Sequence, residues 1–136
     1  MRSKRVAVGL LDTSAVIATE QGRPLEEGGL PMKTVISIIT VAELRAGVLG
    51  APDVQTRDRR LATLERAVRA SVFPIDHRVA ETWAGMRAYL AASGGRVSVN
   101  DLWIAATAAA NRMPVITQDR DFYALSGVNG LTVVEV

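Results

Sequence analysis

Four carboxylates of this sequence stand where apolar segments end or helices begin: Asp12, Glu43, Asp101 and Asp119. Asp12 directly follows the apolar run Val6–Leu11, and the other three each follow or open an apolar segment in a similar way. The carboxyl ends of parallel strands share one edge of a sheet, and ligands of α/β proteins bind beyond that edge. The spacing therefore predicts that the four side chains converge there.

Such a cluster of carboxylates requires either protonation or a cation. Two carboxylates about 5 Å apart repel each other by roughly 3 kcal/mol at an effective dielectric constant near 20. The chain has no cysteine and a single histidine, His77, so the available ligands are oxygens, which select Mg²⁺ or Mn²⁺. Such an ion polarises a phosphoryl oxygen and generates hydroxide from water. The residues thus predict metal-dependent chemistry on a phosphate ester.

Each acid also has an ordinary structural explanation. The pairs Thr40–Glu43 and Ser98–Asp101 have the spacing of a capping box, in which the acid bonds back to the residue that caps the helix. Asp12 suits a plain helix N-cap, and Asp119 suits a turn. Taken singly, each acid is more often structural, but four such acids meeting by accident is the weaker explanation.

Several neighbours extend the candidate site. Asp121 lies two residues beyond Asp119 and could supply the fourth acid in its place. The hydroxyl residues Thr13, Ser14 and Thr117 lie beside the acids, where they either orient water or cap helices.

The elements that must position these residues alternate between strand and helix. Apolar runs rich in β-branched residues predict strands at 6–11, 34–39, 72–75, 114–117 and 131–134, the third at a sheet edge because it contains a proline. Helical periodicity predicts helices at 13–20, 40–49, 53–70, 77–93 and 101–112. This alternation predicts an α/β fold with a central parallel sheet of about four to five strands and helices on both faces.

Composition limits the class of protein. The 136 residues are 49% apolar and 22% charged, which favours one folded domain spanning 1–136. A net charge of +2 permits a nucleic-acid partner without requiring one. The basic start Met1–Arg5 has no cleavage pattern after it, and the apolar stretch Leu102–Ala110 is too short to span a bilayer. A soluble cytoplasmic protein is expected.

Two other classes of α/β protein fit less well. A haloacid-dehalogenase-type phosphatase requires Asp-x-Asp after the first strand, where this chain has Ser14 in the third position. A receiver domain requires a lysine after a late strand, whereas Lys4 and Lys33 are both early. Nucleotide-binding glycine motifs follow none of the predicted strands.

Four segments together resemble PIN-domain proteins, and more closely the VapC toxins of bacterial toxin–antitoxin pairs. They are Leu11-Asp-Thr-Ser14, Ile39-Thr-Val-Ala-Glu-Leu-Arg-Ala-Gly47, Asn100-Asp-Leu-Trp-Ile-Ala-Ala106 and Val115-Ile-Thr-Gln-Asp-Arg-Asp-Phe122. The resemblance runs from about Val6 to Val134 with the motifs in order.

The resemblance implies a single PIN domain that acts as a Mg²⁺- or Mn²⁺-dependent endoribonuclease. It implies that Asp12 and Asp101 are the principal metal ligands, while Glu43 and Asp119 complete the acidic set and help to hold or activate the attacking water. Because many relatives carry asparagine at or near position 119, Asp121 stays open as the fourth acid. The resemblance also implies a homodimer and a cognate antitoxin, in a type II toxin–antitoxin pair.

Two alternatives remain at this stage. The same acidic edge could belong to another metal-dependent phosphohydrolase or DNA nuclease, or to a non-catalytic module that binds Mg²⁺, RNA or an antitoxin. The arginine-rich helix between Arg57 and Arg69 could contact RNA or an antitoxin, but its interleaved acids favour a solvated face with local ion pairs.

Overall fold

Five short strands, all parallel, form the sheet in the computed structural model, which describes residues 6–25 and 29–136. The strands are β1 (Val8–Leu11), β2 (Lys33–Ser37), β3 (Ser71–Phe73), β4 (Val115–Thr117) and β5 (Val133–Glu135), and they lie in the order β3-β2-β1-β4-β5. The predicted α/β fold is therefore confirmed, and β3 lies at an edge as its proline-containing sequence indicated. The stretch Met1–Arg5 lies outside the described residues.

The helices follow the predicted order, with corrected starts. They are α1 (Thr13–Glu20), α2 (Ile38–Leu49), α3 (Val54–Ala67), α4 (His77–Ser93) and α5 (Val99–Ala110), and two 3-10 segments follow at Arg120–Leu125 and Val128–Gly130. The predicted start of α2 at residue 40 is wrong, because the Ser37 hydroxyl accepts a hydrogen bond from the Ile39 amide and begins the helix earlier. The predicted start of α5 at Asp101 is also late, because Ser98 is its cap.

Helices cover both faces of the sheet. Successive strand residues point to opposite faces, and each face is apolar and packs into its own cluster. Leu10 and Val35 belong to the cluster built with α4 and α5. Their neighbours Leu11 and Ile36 turn to the second cluster, built with α1, α2 and α3. This alternation fixes the register of β1, so that Asp12 emerges at the carboxyl edge of the sheet.

Helix α5 is the most deeply buried helix. Ile104, Ala105, Ala106 and Ala108 are completely buried, and the small alanine side chains let the helix approach its neighbours closely. Its 12 residues are about 18 Å long at 1.5 Å per residue. Within the described part of the chain, no helix is both long and apolar enough to cross a membrane.

We expect Gly9→Ala to lower the free energy of unfolding by about 1–3 kcal/mol, the usual cost of overpacking a core. A Cβ at Gly9 would lie 2.9 Å from Ile116 Cγ1 and 3.0 Å from Pro31 Cγ, so the neighbouring strand would have to shift. Urea unfolding measures the change. Gly47→Ala on α2 is the matched control, because its Cβ would come no closer than 3.9 Å to Arg60 Cδ. Equal stability of the two variants would contradict the close packing of β1 on β4.

Candidate active site

Asp12 is both the cap of α1 and a buried acid. Its side chain is 1% exposed, and its Oδ1 accepts a hydrogen bond of 2.9 Å from the Ala15 amide. Burial raises the pKa of Asp12, and the nearby charge of Asp119 acts in the same direction. Hydrogen bonds from Thr117, Ala15 and Ser14 oppose that rise. Asp12 therefore caps α1 and is at the same time available as a site residue, so the two interpretations of this acid are compatible.

Two hydroxyl groups tie the segment after β4 to this carboxylate. Ser14 Oγ donates to Asp12 Oδ1 at 2.8 Å and accepts from the Gln118 amide at 3.1 Å. Thr117 Oγ1 donates to Asp12 Oδ2 at 2.7 Å and accepts from the Asp119 amide, also at 2.7 Å. A chain of hydrogen bonds thus places Asp119 beside Asp12. From the sequence alone, only the position of these hydroxyl residues next to the acids was apparent.

Glu43 lies in the second turn of α2, half-buried, and is held from α1. Thr13 Oγ1 donates a hydrogen bond of 2.7 Å to Glu43 Oε1 and lies 3.1 Å from Thr40 Oγ1. The predicted capping box between Thr40 and Glu43 is wrong, because α2 is capped by Ser37 and Thr40 is already its third residue. Thr40 is instead completely buried beside Thr13, a contact that the sequence did not indicate.

The charges of all three other predicted acids act on Asp101. It is the third residue of α5, and its amide donates to Ser98 Oγ at 3.2 Å, as a capping box predicts. Burial, followed by the like charges of Asp12, Asp119 and Glu43, raises the pKa of Asp101 to about 6, against an opposing hydrogen bond with the Ser98 side chain. Asp101 is therefore close enough to Asp12, Asp119 and Glu43 for their charges to act on it.

Asp119 and Asp121, the two candidates for the fourth acid, differ in burial and in their influence on the other acids. Asp119 is half-buried, and its charge raises the pKa of both Asp12 and Asp101. The Asp121 side chain is exposed, and its amide donates a 2.9 Å hydrogen bond to Asp119 Oδ1. Asp119 therefore joins the cluster while Asp121 orients it through the backbone.

The donor set suits a hard divalent cation. The four carboxylates offer only oxygen ligands, and the pKa of Asp101 is raised first by burial and then by the like charges of the other three acids. Among residues 6–25 and 29–136, no three acids or histidines lie close enough together to hold a metal ion between them. Mg²⁺ needs no such group of three, because it keeps several waters and is usually held through one or two carboxylates.

Two other features singled out in the sequence have structural partners. His77 Nε2 lies 3.0 Å from Glu81 Oε1 on the exposed surface of α4. On α3, Arg59 pairs with Glu20 at 3.4 Å, and Arg60 donates a 2.8 Å hydrogen bond to the Gly47 carbonyl. These two arginines help to pack α3 against α1 and α2.

Comparison with known proteins supports the resemblance seen in the motifs. The PIN domain pattern matches residues 9–128. Ribonuclease VapC5 from Mycobacterium tuberculosis is 49% identical over 130 residues, which cover 96% of each chain. Ribonuclease VapC4 from the same organism is 39% identical over 124 residues, covering 91% of this chain and 95% of the relative.

A solved structure agrees at the level of the whole fold. The VapBC-5 toxin–antitoxin crystal structure from Mycobacterium tuberculosis contains a chain that superposes with a TM-score of 0.89 and 46% identity, covering 96% of this chain and 99% of that one. With the pattern match and these identities over nearly full length, the chain belongs to the PIN-domain family, among its VapC proteins.

Proposed function

We propose that this protein is a divalent-metal-dependent endoribonuclease and the toxin of a type II toxin–antitoxin pair. The observation that carries the proposal is the hydrogen-bonded network at the carboxyl edge of the sheet, in which Thr117 joins Asp12 to the Asp119 amide and Thr13 holds Glu43. The charges of these three acids also act on Asp101. The names of VapC5 and VapC4 as ribonucleases support RNA as the substrate.

In this proposal Asp12 and Asp101 hold Mg²⁺ or Mn²⁺. The bound ion would supply Lewis-acid stabilisation of the phosphate and lower the pKa of water. Glu43, oriented by its 2.7 Å hydrogen bond from Thr13, accepts a proton from the attacking water. Asp119, fixed through Thr117, helps to position that water. The water oxygen bonds to phosphorus in line with the P–O bond that breaks, and the departing sugar oxygen takes a proton from solvent.

A cognate antitoxin and a second copy of the chain complete the proposed assembly, in the cytoplasm. The matched VapBC-5 structure is described as a toxin–antitoxin system, which supports an antitoxin as partner. Leu49 and Val54, at the corner between α2 and α3, are 70% and 72% exposed, so this corner offers apolar surface to a protein partner.

Cleavage of total cellular RNA by the purified protein tests the activity. We expect discrete cuts with Mg²⁺ or Mn²⁺ and at least about a hundredfold less cutting with EDTA, because the metal's charge stabilisation is worth several kcal/mol. DNA incubated in parallel tests the choice of substrate.

Each alternative outcome has a distinct meaning. Cutting that persists in EDTA would overturn the metal dependence, and cutting of DNA alone would overturn the substrate. No cutting under any condition, with Mg²⁺ binding shown by calorimetry, would favour the non-catalytic module.

A further inference from the structure

A cavity of about 350 Å³ lies between α4, the turn that follows it and the first turn of α5. We call it the α4–α5 cavity; its walls include Trp83, Arg87, Leu90, Arg96, Val99 and Leu102. Its volume is in the range of pockets that bind small organic groups. The combination of an aromatic ring, aliphatic side chains and arginines is suited to a nucleotide, which has a flat base and an anionic phosphate.

Trp83 provides the flat surface. Its ring stacks on Trp103 with centroids 4.8 Å apart and an interplanar angle of 15°. Trp103 does not line the cavity, so the part of Trp83 that does is a surface that Trp103 leaves uncovered. A nucleobase that enters the cavity can therefore contact the part of Trp83 that Trp103 leaves uncovered.

Burial of the Trp83 indole carries an energetic cost that a purely apolar side chain would avoid. In the described part of the chain, Trp83 Nε1 is the buried side-chain polar atom that has no hydrogen-bond partner. Such an atom costs about 1–3 kcal/mol. A phenylalanine would fill apolar space without that penalty. The indole therefore provides its larger aromatic surface at a cost in folding free energy.

Arg87 and Arg96 supply positive charge at the exposed rim of the cavity. Within residues 6–25 and 29–136 neither guanidinium forms an ion pair or a side-chain hydrogen bond, and the lining contains no acid. Two unpaired cations beside an apolar cavity complement an RNA backbone, whose binding is dominated by neutralisation of phosphates.

The α4–α5 cavity and Asp101 share the first turn of α5. Val99 and Leu102 line the cavity and bracket Asp101 in the first turn of the helix. With a rise of 1.5 Å and a rotation of about 100° per residue, they lie within about 3 Å of Asp101 along the helix axis, Leu102 on a neighbouring face and Val99 close to the opposite side of the helix. Val99 is 66% exposed, so the rim of the cavity at the start of α5 is open to solvent.

We propose that the α4–α5 cavity is a nucleotide subsite for single-stranded RNA: a base next to the cleaved phosphodiester stacks on Trp83, and its phosphate contacts Arg87 and Arg96. This inference rests on the proposed ribonuclease function and makes Trp83 a determinant of which RNA bonds are cut. Single-stranded RNA is required because only an unstacked base can enter the cavity.

Binding of labelled six-nucleotide RNA homopolymers, measured by fluorescence anisotropy at several salt concentrations, tests the subsite. The measurement uses protein carrying Asp101→Asn, so that the RNA stays intact. We expect Trp83→Leu to raise Kd about fivefold or more, as for the loss of one base–aromatic stack, without changing the salt dependence. Trp83→Phe, which keeps a ring, should lose less.

The charge contribution has its own signature. Arg96→Gln should reduce the slope of log Kd against log salt concentration by about 0.7, the value for one phosphate contact with a single strand. Arg112→Gln is the matched control. It removes one exposed charge beside a different cavity, which lies at the amino end of β4 and therefore at the opposite edge of the sheet. It should leave both Kd and slope unchanged.

A variant on the exposed rim tests the subsite even if Trp83→Leu fails to fold. Val99→Glu sits in the first turn of α5, where an acid is favourable to the helix, and should weaken RNA binding by repelling phosphate. Normal RNA binding by a folded Trp83→Leu or Val99→Glu protein would overturn the inference. Conversion of a dimer to a monomer by these variants would overturn it too, by assigning the cavity to a second copy of the chain.

The subsite and the proposed activity can fail separately. If the wild-type protein cuts RNA and Trp83→Leu cuts the same bonds at the same rate, the subsite is wrong and the activity stands. If the wild-type protein cuts no RNA but binds it in a Trp83-dependent way, the subsite stands and the activity is wrong.

Discussion

Replacing Asp101 with asparagine is expected to slow RNA cleavage about a thousandfold. Asparagine keeps the size of the side chain but removes one negative charge from the place where the charges of Asp12, Asp119 and Glu43 also act. Weaker retention of the metal then forfeits several kcal/mol of transition-state stabilisation, and each 1.4 kcal/mol is a factor of ten in rate. Single-turnover cleavage of an RNA identified from the total digest measures the loss.

Asp121→Asn is the matched control, because the same chemical change at an exposed side chain should alter the rate less than about threefold. Asp101 is also a better position for the experiment than Asp12. Alanine at position 12 would leave the hydroxyls of Ser14 and Thr117 without their buried acceptor, so stability would fall together with activity. Near-normal cleavage by Asp101→Asn, or an equal loss in Asp121→Asn, would contradict the assignment of the acids.

The fold was largely predictable because the strongest sequence signals coincide with the ends of elements. Asp12 ends an apolar β-branched run and caps α1, whose observed bounds, Thr13–Glu20, are those predicted. The start of α2 was not predictable in this way. The run from Val35 to Ile39 is β-branched on both sides of Ser37, so residue propensity gives no sign that the strand ends there and a helix begins.

The placement of Asp119 near Asp12 was predictable, but the contacts of the acids were not. Strand ends in a parallel sheet share an edge, and this is enough to bring Asp12 and Asp119 together. The hydrogen bonds of Thr13 to Glu43 and of Thr117 to Asp12 depend on the packing of α1, α2 and β4, which sequence spacing does not specify. The stacking of Trp83 on Trp103 likewise depends on how α4 crosses α5, although both residues lie at apolar positions of their helices.

We expect the metal-free protein to lose stability as the pH rises through about 6. The folded state raises the pKa of Asp101 to about 6, mainly through burial and then through the neighbouring acids, so it binds this proton more tightly than the unfolded chain. The resulting stabilisation is fully present below pH 4 and is lost as the pH rises through 6. Asp101 is partly exposed and screened, so we expect a loss of only about 1–2 kcal/mol.

Urea unfolding of metal-free wild-type and Asp101→Asn proteins between pH 4.5 and 7 measures this effect by difference. Groups other than Asp101 titrate in both proteins, so the free energy of unfolding should fall more steeply with pH in the wild type. The lowered pKa values of Asp53 and Asp76 act in the opposite direction, and their contribution is lost only as the pH falls below about 4.

Mg²⁺ should reverse the loss at pH 7, because a cation at the acidic edge neutralises the charge that destabilises the metal-free fold. At a concentration one hundred times its Kd, a ligand that binds only the folded state stabilises it by about 2.7 kcal/mol. Asp101→Asn should gain much less from the same concentration of Mg²⁺. Parallel pH curves for the two proteins, or equal stabilisation by Mg²⁺, would show that Asp101 neither carries the unbalanced charge nor holds the metal.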